Sequence, residues 1–167
     1  MLFKKSGFTL VEMMVTLALL AFLVGAISLN ISFLSSLSVR SDIEALRVVC
    51  MCAQRKAIAT NSECVIALDL AGNCYMCDGQ VFTLHKDTMF GVLPDIKGPP
   101  ANPTVSITHP ITFKQQKIVC YPDGIISAGA VYLADKSKRV QYALSSGVAQ
   151  VSYLRTYRYD GTWQLRS

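Results

Sequence analysis

The chain has 167 residues, 51% of them hydrophobic and 16% charged, with a formal net charge of +5. That length holds one modest domain, and so small a positive balance is insufficient by itself to argue for nucleic acid. The mean hydropathy of +0.37 comes largely from one apolar stretch near the N-terminus.

That stretch, Phe8 to Leu29, is apolar throughout except for Thr9, Glu12, Thr16 and Ser28. A hydrocarbon core of ~30 Å takes about 20 residues of helix at 1.5 Å rise each, so its length suits a single membrane crossing. Lys4 and Lys5 precede it and favour a cytoplasmic N-terminus, which places the rest of the chain across the membrane. Glu12 is the exception, because a carboxylate costs roughly 2.5–3.5 kcal/mol at the centre of a membrane helix and normally has a partner or a function. A cut between Gly7 and Phe8 would put a new amine one helical turn from Glu12, where a carboxylate of the same or an adjacent molecule neutralises it. The charge reads as an assembly device.

Gly7-Phe8-Thr9-Leu10-Val11-Glu12, behind a short basic leader and ahead of an unbroken apolar helix, resembles the class III signal sequence of type IV pilins and pseudopilins. The resemblance implies that a prepilin peptidase removes Met1 to Gly7, that Phe8 becomes the N-methylated first residue, and that Glu12 pairs with a neighbour's amine in a filament. An ordinary secretory signal is cut after its apolar region and loses it; here the cut precedes the apolar run, so the helix stays.

Beyond Leu29 the pattern becomes one-sided. Val39, Ile43, Leu46, Cys50, Ala53 and Ala57 recur at intervals of four and three, one face of an amphipathic helix, while Arg40, Asp42, Glu44, Arg47, Gln54, Arg55 and Lys56 take most of the rest. No proline interrupts Phe8 to Thr60, so a single helix is expected, with residues 30–60 continuing into the head and bending easiest at Asn30, Ser32, Ser35, Ser36 and Ser38. Asn61-Ser62 ends it.

Residues 61–167 read as a β-rich head, roughly 105 residues with a modest core. Strands are expected at Cys64 to Leu70, around Cys74 to Leu84, at Thr104 to Phe113, Lys117 to Tyr121, Val131 to Ala134, Val140 to Leu144 and Ala149 to Leu154. Turns are expected at Ala71-Gly72-Asn73 and Pro122-Asp123-Gly124, and a hairpin around Asp160-Gly161 within Thr156 to Leu165. Gly91 to Pro103 holds most of the six prolines and reads as a loop. The expected fold is α+β, a long N-terminal helix packed on a small antiparallel sheet.

The order of these elements, with Ala45-Leu46, Ala57-Ile58, Pro122-Asp123-Gly124 and Gly147, is similar to the GspH/FimT branch of minor pilins and pseudopilins. That resemblance implies a structural subunit of a type IV pilus or type II secretion pseudopilus, with other pilins and the inner membrane as partners and the head in the periplasm. The branch often has Gly followed by Arg near the last strands, a version linked to DNA uptake; here it is Gly147-Val148.

All six cysteines, Cys50, Cys52, Cys64, Cys74, Cys77 and Cys120, lie beyond the apolar segment, in a compartment expected to be oxidising, and disulfides are the preferred reading. Cys50 and Cys52 point about 200° apart on a helix and should not pair. Of the fifteen possible pairings the sequence selects none. The competing reading is Zn²⁺ at Cys74-Tyr75-Met76-Cys77-Asp78-Gly79, a C-x₂-C-x-G pattern, but a second knuckle is missing; no metal and no cofactor is expected.

An enzyme is not expected either. His85 and His109 lack a neighbouring nucleophile or carboxylate pattern and read as solvent-exposed structural histidines, and the common phosphate-loop, metalloprotease and hydrolase motifs are missing. One stretch reads as a binding surface: Tyr153, Arg155, Tyr157, Arg158, Tyr159, Trp163 and Arg166 interleave aromatics with arginines, a mix that stacks on bases and contacts phosphates. An edge strand has the same look, so DNA is the alternative partner rather than the favoured one.

Overall fold

The computed structural model describes residues 9–98, 105–147 and 153–166, with the side chains of 26–36 left aside. The chain divides into two compact units, Met1–Leu34 and Ser35–Ser167. Helix α1, Leu10–Thr60, contributes to both.

In the first unit every described residue from Thr9 to Gly25 is exposed, including Leu10 at 76% and Phe22 at 75%. Among the described residues no helix is long and apolar enough to cross a membrane; the expected span, Phe8 to Leu29, lies partly outside them.

The second unit is built on the amphipathic face. Val39, Ile43, Leu46, Cys50 and Ala57 are fully buried and Ala53 nearly so, each large side chain contributing roughly 1.5–3 kcal/mol. They pack against two antiparallel sheets. The first orders its strands β3-β2-β1-β5, from β1 (Cys64–Asp69), β2 (Cys74–Cys77), β3 (Gln80–Thr83) and β5 (Lys117–Cys120). The second runs β4-β6-β7-β8-β9, from β4 (Thr88–Phe90), β6 (Gly129–Asp135), β7 (Gln141–Ser146), β8 (Leu154–Asp160) and β9 (Thr162–Leu165). Ile66, Leu68, Ile118 and Cys120 from one sheet and Val131, Leu133, Tyr142 and Leu144 from the other close one core with the helix. Tyr132, Ala143 and Tyr157 form a second cluster on the opposite face of the five-stranded sheet, backed by Trp163.

The α+β architecture is the expected one, but the strands divide between two sheets where a single small one was expected, and three further differences stand out. The strand expected around Cys74 to Leu84 is two strands folded into a hairpin, because Asp78 and Gly79 both take positive φ, 53° and 79°, as a two-residue Asp-Gly hairpin turn requires. Thr104 to Phe113 is not a strand: its described part makes only isolated bridges, Lys97 to Ser106 and Ile111 to Val131, and Pro110 has no N–H for a ladder. Asp42, expected on the solvent face, is 5% exposed. Its carboxylate accepts the His85 backbone N–H at 3.0 Å and faces His85 Nδ1 at 2.6 Å, joining the helix to the connection before β4.

The Pro122-Asp123-Gly124 turn is present, with Gly124 at φ 84°. Gln54 Nε2 donates to the Gly124 carbonyl at 2.5 Å, which fastens the turn to the helix. The expected strand Ala149 to Leu154 and the loop to Pro103 fall partly outside the described residues; the hairpin at Asp160-Gly161 is β8 and β9.

Candidate functional site

Three groups of side chains carry chemistry. The first is at the start of α1. Thr9 precedes the helix, its hydroxyl accepts the Glu12 N–H at 3.3 Å, and Glu12 Oε2 accepts from the Thr9 N–H and hydroxyl, both at 3.2 Å. This is a reciprocal capping box, which satisfies two of the four N–H groups a helix start leaves open. The sequence signal for it is Thr9-x-x-Glu12, which the charge argument passed over. Gly7 and Phe8, the expected cleavage and methylation positions, lie outside the described residues.

The second group is the C-terminal aromatic and arginine stretch, which the pleat of β8 divides. Tyr157 and Trp163 lie on the outer face, where Trp163 is 6.5 Å from Tyr157, 5.2 Å from Tyr159 and 6.0 Å from Tyr132, centroid to centroid. Trp163 Nε1 donates to the Lys97 carbonyl at 2.8 Å, so this ring is part of the packing. Arg155 is on the same side, its guanidinium 4.1 Å from the centre of the Tyr153 ring. Both line a cleft of about 670 Å³ whose wall includes His109. Arg158 points to the other face beside Tyr142, its cross-strand partner. There it meets Arg40, Glu44 and Arg47, which sequence reasoning left on the polar side of the helix, and together with Arg166 of the same C-terminal stretch they enclose a polar recess of about 400 Å³. Arg47 pairs with Glu44 at 3.5 Å, and the buried Arg158 Nε has no hydrogen-bond partner among the described residues. Four guanidiniums therefore line the recess together with one carboxylate.

The third group is cysteine. All six thiols are unbridged in this structure. Cys50 is buried and Cys52 exposed, as their angular separation requires. Cys74 and Cys77 do not converge, since three residues along a strand put them on opposite faces; Tyr75 and Cys77 face inward, Cys74 and Met76 outward. Cys77 instead meets Cys64, and the two sulfurs and a carboxylate oxygen of Asp78 lie within 4.8 Å of one another. Lys56 Nζ holds Asp78 Oδ2 at 2.7 Å. Cys120 is directly across from Cys64 in the ladder, and its thiol is directed at the Cys50 carbonyl, 3.9 Å away. Burial pushes the Cys77 thiol up to about 11, with the Cys64 and Asp78 charges adding to it. Burial raises Cys120 to about 12 and raises Cys50 as well. At neutral pH these thiols keep their protons.

Comparison with known proteins bears on the first group. Residues 2–28 match the family model described as the prokaryotic N-terminal methylation motif. No curated protein and no solved structure matches the chain. The matched segment contains the Gly7-Phe8 junction, the Thr9–Glu12 capping box and the exposed apolar helix. The match is confined to this N-terminal segment, and the motif it identifies supports a type IV pilin-like protein made as a membrane-anchored precursor for prepilin peptidase.

Proposed function

We propose that this chain is a minor pilin or pseudopilin, a structural subunit of a type IV pilus or a type II secretion pseudopilus. Prepilin peptidase cuts between Gly7 and Phe8, and the Phe8 amine is methylated. The precursor crosses the inner membrane once, through Phe8 to Leu29, with its head in the periplasm. Assembly exchanges lipid around that helix for the helices of neighbouring subunits.

The observation that carries this reading is the contrast along α1. From residue 39 onward its apolar face is buried by the chain's own sheets, whereas the described side chains from Leu10 to Val24 are all exposed. An apolar surface that large needs lipid or other proteins to cover it. Glu12 neutralises the amine of an incoming or neighbouring subunit. Glu12→Ala inserts normally and fails to enter filaments; normal incorporation of that variant refutes the role given to Glu12.

A second reading, a minor pilin that captures DNA through the C-terminal stretch, draws on the recess of Arg40, Arg47, Arg158 and Arg166. Its test is the salt dependence of binding to duplex DNA: each phosphate that is no longer neutralised flattens the slope of log K against log salt by ~0.9. An Arg158→Ala/Arg166→Ala variant with unchanged affinity and slope removes this reading.

A further inference from the structure

Cys64 opens β1, Cys77 closes β2, and Asp78 is the first residue of the turn into β3. We propose that these three side chains form a site for a thiophilic divalent cation, Zn²⁺ by its donor chemistry. Three observations carry it.

The first is spacing. Tetrahedral Zn²⁺ with Zn–S of about 2.3 Å and Zn–O of about 2.0 Å sets S···S near 3.8 Å and S···O near 3.5 Å. Cys64 Sγ is 3.8 Å from Asp78 Oδ1 and 4.0 Å from Oδ2, and all three ligand atoms lie within 4.8 Å of one another. Small side-chain rotations bring them onto one ion.

The second is register, which disfavours the competing disulfides. Cys77 is opposite Ile66, so Cys64 is its diagonal neighbour, where Cα atoms are about 7–8 Å apart; a disulfide accepts roughly 4.4–6.8 Å. Cys120 is opposite Cys64, but Val119 spends its N–H and C=O on Ser127. Cys64 and Cys120 therefore form the hydrogen-bonded type of pair, whose Cβ atoms are more widely spaced, near 5.5 Å, than the roughly 3.5–4.5 Å of a bridge. Coordination spans a diagonal pair that a sulfur–sulfur bond does not.

The third is charge and orientation. With both thiols deprotonated by the bound ion, two thiolates and the Asp78 carboxylate beside one lysine carry two net negative charges, which the divalent cation neutralises. Lys56 holds Asp78 Oδ2 at 2.7 Å and leaves Oδ1 turned to Cys64, the usual arrangement of an outer partner that fixes a ligand. Cys64 and Cys77 are buried while Asp78 is exposed, so the ion enters from the turn and its fourth position is left to water. Binding forms two metal–sulfur bonds and one metal–oxygen bond and releases the two thiol protons to solvent; nothing is oxidised.

The test uses the full chain in detergent, purified under reducing conditions and titrated with Co²⁺ as the optical probe, then with Zn²⁺. One equivalent of Co²⁺ is expected to give thiolate charge-transfer and tetrahedral visible bands, both erased by one equivalent of Zn²⁺. Cys64→Ser and Cys77→Ser abolish the bands, and Asp78→Asn, a residue that also tolerates the positive φ of this turn, weakens affinity about 10–100-fold, the range for a disturbed metal shell. Cys52→Ser and Cys74→Ser leave them unchanged. Bands that survive both Cys64→Ser and Cys77→Ser, a chain that takes up no Co²⁺, or a Cys64–Cys77 bridge in unreduced protein from native membranes overturns the proposal. It does not rest on the filament reading.

Discussion

Asp135 is the last residue of β6 and is 1% exposed. Its carboxylate accepts the Arg139 N–H at 2.7 Å, the Val140 N–H at 2.8 Å and the Ser137 hydroxyl, so one side chain organises the whole connection to β7. Asp135→Ala orphans two backbone donors, and at about 1–3 kcal/mol for each buried group left unpaired, partly relieved by water at Ser137, the loss should be about 2–4 kcal/mol. Asp135→Asn keeps one acceptor oxygen and should lose about half as much. Burial on its own would raise this carboxyl, but the hydrogen bonds from Ser137, Val140 and Arg139 outweigh it and hold it below the usual carboxylate range. A pKa depressed by folding contributes stability that is present above the unfolded value, near 3.9, and is lost as pH falls through the folded value. The deficit of Asp135→Ala should therefore be full at pH 7 and shrink only under acid. Urea unfolding of the full chain in detergent, followed by the fluorescence of Trp163, the one tryptophan, reads the five-stranded sheet directly. An Asp135→Ala variant within about 0.5 kcal/mol of the parent at pH 7, the range of an ordinary surface substitution, refutes the reasoning.

Other substitutions separate roles that the structure superimposes. Glu12→Gln keeps the capping box, which accepts Gln, but removes the charge: helix content should hold while filament incorporation falls as far as in Glu12→Ala, and incorporation at the parent level would make capping the whole role of Glu12. Asp42→Ala removes the acceptor for His85 and should cost about 1.5–3 kcal/mol, the value of a hydrogen bond to a charged group, read as a lower urea midpoint; an unchanged midpoint contradicts it. Gly129→Ala would place a Cβ 2.6 Å from the Phe113 ring and 3.0 Å from its Cα, so a loss of about 1–3 kcal/mol is expected from overpacking, and a neutral result would show that this approach relaxes freely. Leu46→Ala, at a fully buried position, should cost about 2–5 kcal/mol without changing membrane insertion.

The helix and its buried face were legible because a 3.6-residue period needs no partner to be recognised, and the positions from Val39 to Ala57 are the ones the sheets cover. The strands expected at Cys64 to Leu70, Lys117 to Tyr121 and Val131 to Ala134, and the closing hairpin, were legible from alternation and turn residues. The Asp78-Gly79 turn was present in the sequence but competed with a metal-knuckle reading of the same residues. What remained illegible depends on register. That Cys77 meets Cys64 rather than Cys74 follows from the pairing of Ile66 with Cys77, and that Arg158 and Arg166 join Arg40 and Arg47 follows from which face of β8 is turned to the helix. Asp42 looked like one more solvent carboxylate, because nothing local signals that His85 will close over it.

The central claim is that the chain enters the pilin pathway through its N-terminal segment. Intact mass and N-terminal analysis of the unreduced protein from its native membrane tests it most directly. The predicted result is a chain that begins at N-methylated Phe8, lacking Met1 to Gly7. A chain still beginning at Met1 in cells with active prepilin peptidase would contradict it, leaving the folded head tethered by an unprocessed helix.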